Sequence, residues 1–164
     1  MMTAPDLRDT FENLIQQHRK ILYKICNSYC RDRDSRDDLG QEIMIQLWRS
    51  FPKFDGRCRF STWMYRIALN VAISFYRSDS VRSQHLVADE SRLFETVDES
   101  ASQPEEVQLL YRFIEALDPL NKALILLYLD ENSYQEIAEV LGITETNVAT
   151  KLNRLKNRMK QELT

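Results

Sequence analysis

The chain has 164 residues, 43% of them hydrophobic and 29% charged, with only three glycines and four prolines, which favours long helices over short strands joined by turns. Its longest strongly apolar run, 123–129, is much shorter than the about 20 residues of a membrane span, and its acidic N-terminus carries no export signal, so we expect a cytoplasmic protein. The formal net charge of −3 conceals two basic segments, 53–77 and 144–164, on either side of an acidic one, 78–106, and this distribution suits a nucleic-acid partner.

The three cysteines, Cys26, Cys30 and Cys58, are odd in number and sparse, which argues against a disulfide framework. Cys26 and Cys30 lie four residues apart with His18 upstream, so a metal or redox site is one alternative. On a helix, however, both positions extend an apolar stripe, and unpaired cysteines are commonly buried. Because no fourth ligand is evident, we expect neither a metal nor another cofactor.

The first predicted helix covers about 6–31, where apolar residues recur at three- and four-residue spacing. A polar turn follows it. Asp34 or Ser35 is expected to cap a second helix. That helix reaches about Phe51 and is ended by Pro52.

A short basic loop, 53–60, carries two phenylalanines and leads into a third helix. Ser61 or Thr62 is expected to cap this helix, which ends near Arg77. Its apolar residues occupy more than one face, so we expect more than one face to be covered. An acidic, weakly periodic segment over 79–103 follows. Because so long a linker is unusual inside one compact domain, we divide the chain there.

The sequence therefore predicts an all-α fold of two small helical domains, 1–78 and 104–164, joined by a flexible acidic linker, 79–103. Four helices are predicted in the second domain. The first two begin near Pro104 and Pro119, because proline is favoured in the first turn of a helix.

A helix-turn-helix motif is predicted over 133–159. Ser133 and Glu136 form a capping box for its first helix, and Gly142 ends that helix. Thr144 caps the second helix, which has one apolar seam and an opposite polar face. Side chains of this face suit hydrogen bonds to base edges and phosphates in a major groove. The face comprises Asn147, Thr150, Lys151, Asn153, Arg154 and Arg158. The alternative to DNA binding is that this face is simply the solvated side of an amphipathic helix in an all-helical bundle.

Two stretches of the chain together resemble one family. The sequence reads DDLGQEIMIQLW over 37–48 and FDGRCRFSTWMYRIALN over 54–70. Region 2 of extracytoplasmic-function sigma factors likewise has an aspartate-leucine-x-glutamine-glutamate helix, a phenylalanine-rich basic loop and a tryptophan-bearing helix. The helix-turn-helix resembles region 4 of the same family. The chain is thus similar to these sigma factors over most of its length, with an acidic linker where the family has one.

The resemblance implies that region 2 binds the clamp helices in the large subunit of core RNA polymerase. The residues implied are Asp38, Leu39, Gln41, Glu42, Leu47 and Trp48. An apolar anchor beside polar groups is the usual composition of a binding hot spot. Leu39 and Leu47 can equally belong to the domain core, because periodicity does not separate the two interpretations.

The resemblance further implies that the loop and the helix after it open the promoter −10 element. Aromatic side chains can stack on exposed bases, and arginines can hold a single strand. The residues implied are Phe54, Arg57, Arg59, Phe60, Ser61, Thr62, Trp63, Arg66, Asn70 and Arg77. Phe54 and Phe60 can equally pack the loop against the domain. Region 4 is implied to read the −35 element as duplex through the polar face of the helix-turn-helix.

The implied mechanism is not enzymatic, since the factor lends promoter specificity to the polymerase. Its implied partners are core RNA polymerase, promoter DNA and an anti-sigma factor, with no small-molecule substrate. The sequence carries no glycine-rich phosphate loop, nucleophile elbow or paired metal motif. The runner-up is a helix-turn-helix regulator that binds DNA without polymerase, which accounts for 133–159 but not for the first domain.

The sequence departs from the family pattern at a few positions. Gly40 stands where a larger apolar residue is commoner, and glycine weakens a helix slightly. Ser74 stands where an aspartate is frequent. The recognition helix differs from the usual pattern at Asn147 and over 149–150. These differences leave the class unchanged and concern the promoter sequence that is read.

Overall fold

The computed structural model describes residues 4–83 and 104–163, with side chains described for 6–77 and 104–163. Within these ranges the chain forms eight α-helices and one short 3-10 turn, and no strand. The prediction of an all-α fold is confirmed. Most of the predicted linker, 84–103, lies outside the described residues.

The first predicted helix is two helices. Helix α1 covers Ala4–Gln17 and helix α2 covers Arg19–Tyr29. They are separated at His18, whose backbone (φ −117°, ψ 21°) is not helical. The ring Nδ1 of His18 donates to the carbonyl of Leu14 at 2.9 Å. The prediction of one continuous helix over 6–31 was wrong. The break was not predicted because neither glycine nor proline marks it in the sequence.

Helix α3 covers Arg33–Ser50 and begins earlier than predicted. Its N-cap is Asp32, whose carboxylate accepts from the amide of Ser35 at 3.4 Å. A 3-10 turn over Phe51–Lys53 ends it at the predicted proline. Helix α4 then covers Phe60–Ser83, so it extends into the segment predicted as a linker.

Helices α2, α3 and α4 pack on one another and form the core of the first domain. Each contributes an apolar stripe at helical spacing. Within residues 6–77, the side chains with 0% exposure are Ile25, Leu39, Ile43, Leu47, Met64, Tyr65, Ala68 and Ala72.

The second domain contains the four predicted helices. They are α5 (Glu105–Glu115), α6 (Pro119–Leu129), α7 (Tyr134–Leu141) and α8 (Glu145–Leu163). Helix α6 is buried on nearly all sides between the other three, which explains its almost uniformly apolar sequence. Its buried residues are Lys122, Ala123, Leu124, Ile125, Leu126 and Leu127.

The helix-turn-helix has the predicted caps. Ser133 Oγ accepts from the amide of Glu136 at 3.1 Å. The carboxylate of Glu136 accepts in return from the backbone amide of Ser133, which completes a capping box. Gly142 has φ 70°, the left-handed conformation that ends helices. Thr144 Oγ1 accepts from the amide of Asn147 at 3.1 Å. These local signals define where α7 begins and ends and where α8 begins.

The two domains contact each other. Helices α2 and α4 of the first domain pack on α5, α6 and α7 of the second. Of the helices in 4–83 and 104–163, none combines the length and the apolar character that a bilayer span requires.

Candidate functional site

Helix α8 presents the polar face that the sequence predicted. Its buried seam consists of Val148, Leu152 and Leu155. The residues predicted to read the −35 element lie away from this seam. All are exposed except Lys151, which is half-buried: Asn147, Thr150, Lys151, Asn153, Arg154 and Arg158. The face can therefore meet a major groove without disturbing the core.

One residue of this face was missed by the sequence analysis. Thr146 is exposed and lies one helical turn before Thr150, in the first turn of α8. The N-terminal part of a recognition helix is the part that reaches base edges. The four-residue spacing between the two threonines is the signal that identifies it.

Lys156 anchors α8 to the rest of its domain. Its ammonium lies 4.4 Å from the ring centroid of Tyr128 and donates to the hydroxyl of Tyr134 at 3.4 Å. The hydroxyls of these two tyrosines raise the pKa of Lys156. Lys156, which lies beside the polar face of α8, thus holds this helix against the rest of its domain.

The predicted polymerase-binding residues on α3 separate into two groups. Leu39 and Leu47 have no exposed surface, so they belong to the core. Asp38, Gln41, Glu42 and Trp48 are exposed and lie on one side of the helix. The burial of the two leucines favours the core interpretation that periodicity had left open.

Two exposed apolar side chains make the surface of α3 unusual. Trp48 is 41% exposed and Ile45, which the sequence analysis missed, is 45% exposed. Ile45 lies three residues beyond Glu42 and three before Trp48, so its helical spacing was sufficient to identify it. The ring of Trp48 rests on Phe11 at a centroid distance of 5.2 Å, which limits the motion of the exposed indole.

The aromatic residues of the basic loop form one cluster. Phe51, Phe54, Phe60 and Trp63 have ring centroids 5.2 to 6.5 Å apart. Such offset and edge-on pairs are favourable contacts. Phe60 is only 8% exposed. Its burial favours the interpretation that it packs the loop against the domain. Phe54 and Trp63 are half-buried and keep part of their rings at the surface.

The polar residues predicted for the −10 element also differ in exposure. Thr62 is only 3% exposed and Ser61 is half-buried. Asn70 and Arg77 are exposed. Arg57 is almost fully exposed and pairs locally with Asp55 at 3.0 Å, across a turn in which Gly56 has φ 77°. The basic character of the loop therefore remains at the surface.

Arg59 and Arg66 are engaged by the second domain. The guanidinium of Arg59 pairs with the carboxylate of Glu136 in α7. Arg66 Nη2 donates to the backbone carbonyl of Glu139, also in α7, at 2.9 Å. Two of the residues predicted to hold promoter DNA are thus in contact with the first helix of the helix-turn-helix.

Asp130, which follows α6, accepts from two side chains of the first domain. Tyr65 donates its hydroxyl to Oδ2 at 2.7 Å, and Lys24 Nζ lies 3.1 Å from Oδ1. Burial and the hydrogen bond to Asp130 raise the pKa of Tyr65. The tyrosine therefore donates its proton to this bond throughout the neutral range.

A buried lysine lies at the centre of the contact between the domains. Lys122 is 3% exposed and donates to the carbonyl of Ser28 at 2.9 Å. Its ammonium faces the rings of Tyr29 and Tyr76 at 5.5 and 4.9 Å. Burial lowers its pKa. The Tyr29 hydroxyl donates to the carbonyl of Pro119 at 2.7 Å, so the two domains share a desolvated polar centre.

The cysteines do not come together as a site. Cys26 and Cys30 are buried and Cys58 is half-buried. Burial raises the pKa of the Cys26 thiol to about 11, which makes it a poor nucleophile at neutral pH. Within the described part of the chain, no three histidine, cysteine or acidic side chains gather in a group that could hold a metal ion.

Two family models match the chain. Sigma-70 region 2 matches residues 14–82, and sigma-70 region 4 matches residues 108–159. The fold is also found in a solved structure, that of the sigma factor RpoE in complex with the anti-sigma factor NepR from Bartonella quintana. That chain is 16% identical, with a TM-score of 0.73 over 94% of this chain and 96% of the other.

Curated relatives match along nearly the whole chain. The ECF RNA polymerase sigma factor SigX of Bacillus subtilis (strain 168) is 29% identical over 159 residues, which cover 90% of this chain and 80% of the relative. The ECF RNA polymerase sigma-E factor of Escherichia coli (strain K12) is 30% identical over 156 residues, which cover 88% and 81%. This protein therefore belongs to the extracytoplasmic-function sigma factors, the sigma-70 proteins that bind core RNA polymerase and direct it to promoters.

Proposed function

We propose that this sigma factor divides promoter recognition among three surfaces, and that residues 1–78 and 104–164 act as its two domains. The exposed side of α3 binds polymerase, the aromatic loop with α4 opens the −10 element, and α8 reads the −35 element. The observation that carries this proposal is the polar face of α8, which is exposed opposite an uninterrupted buried seam.

The polymerase-binding surface is centred on Trp48. Asp38, Gln41 and Glu42 surround it with polar groups, and Ile45 extends its apolar area. An exposed aromatic anchor with a polar border is the usual composition of a protein-binding hot spot. Leu39 and Leu47 act indirectly, because they hold α3 against the core.

The −10 surface combines single-strand stacking with cationic support. Phe54 and Trp63 offer ring surface to unstacked bases. The strand is held by Arg57, Arg59, Arg66 and Arg77, with Ser61 and Asn70 as hydrogen-bonding side chains. The buried side chains of Phe60 and Thr62 hold the loop against the core of the domain.

The −35 surface reads duplex DNA in the major groove. Asn147, Thr150 and Arg154 face outward on successive turns of α8, and amide and guanidinium groups make the most specific base contacts. Asn153 and Thr146 border this row. Lys151 and Arg158 contact phosphates, which position the helix without reading sequence.

The factor contributes no catalytic step of its own and works in the cytoplasm beside its polymerase. An anti-sigma factor is its proposed regulator. The support comes from a solved neighbour, the RpoE of Bartonella quintana, which is described as a complex with the anti-sigma factor NepR.

Run-off transcription tests the proposal. Core polymerase is incubated with promoter fragments from the source genome, with and without the purified factor. Specific transcripts are expected only with the factor. A chain that bound duplex DNA by itself, while it neither bound polymerase nor initiated transcription, would instead be a plain helix-turn-helix regulator.

A further inference from the structure

Helix α8 carries, on each edge of its buried seam, a cation that rests on an aromatic ring of another helix. On one edge, the ammonium of Lys156 lies 4.4 Å from the ring centroid of Tyr128 in α6. On the other edge, the guanidinium carbon of Arg158 lies 5.9 Å from the ring centroid of Phe113 in α5. Because these cations are two positions apart, their side chains leave the helix about 200° apart. Each contact therefore opposes rotation of α8 about its axis.

The contact made by Lys156 is the tighter of the two, and it joins three helices at one point. Besides facing Tyr128, the ammonium donates to the hydroxyl of Tyr134, in the first turn of α7, at 3.4 Å. Lys156 and both tyrosines are half-buried, and a cation over a ring is held more strongly when water is partly excluded. Arg158 is held less firmly, since 51% of its side chain is exposed and its guanidinium lies 3.9 Å from Glu162.

Lys156 lies beside the reading face but is directed away from it. Arg154 and Asn157, its neighbours on the polar face, are exposed, whereas Leu155 is only 2% exposed. The ammonium is turned to two tyrosines of its own domain, so its charge serves the contact between helices. The sequence analysis assigned no role to this residue.

The reading of bases depends closely on the rotation of α8. Side-chain tips lie about 5–6 Å from a helix axis, so a rotation of about 20° displaces them by about 2 Å. Hydrogen bonds hold only over donor–acceptor distances of about 2.7–3.2 Å, so such a displacement breaks contacts with base edges. Phosphate contacts tolerate it better, because attraction between charges falls off gradually with distance.

We propose that Lys156 is a positioning residue for −35 recognition and sets the rotation of α8 through Tyr128 and Tyr134. This inference rests on the proposed function of α8 as the reader of the −35 element. The aliphatic seam of α8 attracts the core without a preferred direction, and the lysine supplies the direction. Its loss is therefore expected to lower discrimination between −35 sequences more than it lowers overall affinity for DNA.

Two pairs of substitutions and one control separate direction from charge. Lys156→Met keeps the aliphatic stem and removes the charge, whereas Lys156→Arg keeps a cation that can rest on the ring. Tyr128→Leu removes the ring and Tyr128→Phe keeps it, and neither changes the charge of the DNA-binding domain. The matched control is Lys160→Met, which removes the same charge from α8 one turn further along.

Fluorescence anisotropy of the holoenzyme on labelled promoter fragments measures the discrimination. The fragments share one −10 element and carry either the matched or an altered −35 element, and the readout is the ratio of the two dissociation constants. Lys156→Met and Tyr128→Leu are expected to lower this ratio about fivefold to tenfold, as the loss of one base contact does. Lys156→Arg and Tyr128→Phe are expected to stay within about twofold of the wild type, since both keep a cation over a ring. Lys160→Met is expected to leave the ratio unchanged.

Hydrogen exchange of the α8 amides in the full chain reports the anchoring without DNA. Exchange is expected to be faster in Lys156→Met than in Lys160→Met, because local opening exposes the amides of a loosened helix. The two Lys156 variants alter a side chain at the edge of α8, and they decide the matter by themselves if Tyr128→Leu does not fold.

Several results would overturn the inference. Equal weakening on both fragments by Lys156→Met, with a smaller salt dependence, would make Lys156 a phosphate contact. A lower thermal midpoint with an unchanged ratio would show that Lys156 stabilises the domain and nothing more. A folded Tyr128→Leu with the wild-type ratio would exclude the ring. If the wild-type holoenzyme itself did not distinguish the fragments, the proposed reading of the −35 element would fail, while hydrogen exchange would still show whether Lys156 holds the helix.

Discussion

The two surfaces of this sigma factor that are proposed to face DNA differ in how accessible they are. The reading face of α8 is exposed along its length, with Asn147 and Arg154 directed away from the core. The arginine side of α4 is in contact with α7 through Arg59 and Arg66. The surface proposed to read duplex is therefore open, whereas the surface proposed to hold the single strand is engaged by the other domain.

The difference follows from the composition of the two helices. Helix α8 has one narrow apolar seam, so a single buried side satisfies it. Helix α4 buries Met64, Tyr65 and Leu69 almost completely and half-buries other apolar residues. A helix that is apolar over more than one face needs more than one neighbour. Helix α4 meets this need with its own domain on one side and with α6 and α7 on the other.

The largest effect is expected from Trp48→Ala in the first domain. Loss of an exposed aromatic anchor typically costs about 2–4 kcal/mol of binding free energy, so affinity for core polymerase is expected to fall at least about thirtyfold. Binding of −35 duplex is expected to be unchanged. Biolayer interferometry with immobilised core polymerase measures the first effect. Tyr23→Ala is the matched control, since Tyr23 is 58% exposed but lies on α2, outside the proposed surface.

The converse effect is expected from Arg154→Ala in the second domain. A base-reading arginine contributes about 1–3 kcal/mol, so affinity for the −35 duplex is expected to fall while polymerase binding persists. Electrophoretic mobility shift with matched and mutated duplexes measures it, and Arg112→Ala provides an exposed arginine outside the surface. If Trp48→Ala and Arg154→Ala lowered polymerase affinity equally, the two domains would not divide the work as proposed.

Alkaline pH is expected to weaken the first domain more than the helix-turn-helix. The thiol of Cys26 has its pKa raised from 9.0 to about 11, and the pKa values of Tyr29 and Tyr65 are also raised by burial. Above pH 9 the unfolded chain loses these protons while the folded chain keeps them, so the free energy of unfolding falls as pH rises. Cys26 alone accounts for about 1 kcal/mol by pH 10.

Lys122 works in the opposite direction. Its pKa is lowered from 10.5 by burial, so in the window below that value the unfolded chain binds the extra proton and stability rises with pH. We expect Cys26, Tyr29 and Tyr65 together to outweigh Lys122, so that the free energy of unfolding falls as pH rises. Urea unfolding from pH 8 to pH 10.5, followed by circular dichroism, measures the net slope, which Cys26→Ala is expected to reduce. A positive slope would mean that Lys122 dominates, and a slope of zero would mean that it balances Cys26, Tyr29 and Tyr65.

The smallest effect is expected at Gly40. A Cβ at this position would meet Cys26 Sγ at 3.8 Å, an ordinary contact. Gly40→Ala is therefore expected to stabilise α3 by about 0.5–1 kcal/mol, visible as a higher midpoint in thermal unfolding. Gly142→Ala is the contrasting variant, because Gly142 has φ +70°, and it is expected to lower the midpoint. A lower midpoint for Gly40→Ala would show that α3 does not tolerate the methyl group.

The sequence predicted the second domain closely because its signals are local. Capping by Ser133, the left-handed Gly142 and the single seam of α8 each involve neighbouring residues. The break at His18 was missed because no glycine or proline marks it; there the His18 ring bonds the carbonyl of Leu14. Periodicity left Leu39 and Leu47 between core and surface, and only their burial in the folded domain assigned both to the core.

The contacts between the domains were beyond sequence reasoning. Tyr65 and Asp130 are 65 residues apart, and no local pattern marks one as the partner of the other. The burial of Phe60 and Thr62 likewise depends on how the loop folds back onto the domain. Helix α4 was predicted to be covered on more than one face, but what covers it could only be seen in three dimensions.

The aromatic contacts in the first domain have a consequence for promoter opening. Phe11 makes tilted ring contacts with Trp48 and Phe51, and Phe51 in turn stacks on Phe54 and meets Trp63 edge-on. A continuous series of ring contacts thus joins the helix proposed to bind polymerase to the loop proposed to receive the unpaired strand. Because these rings are ordered before DNA arrives, little conformational entropy is lost when bases stack on the loop. If α3 binds polymerase as proposed, attachment at that end is expected to fix the position and tilt of the proposed stacking surface at the other.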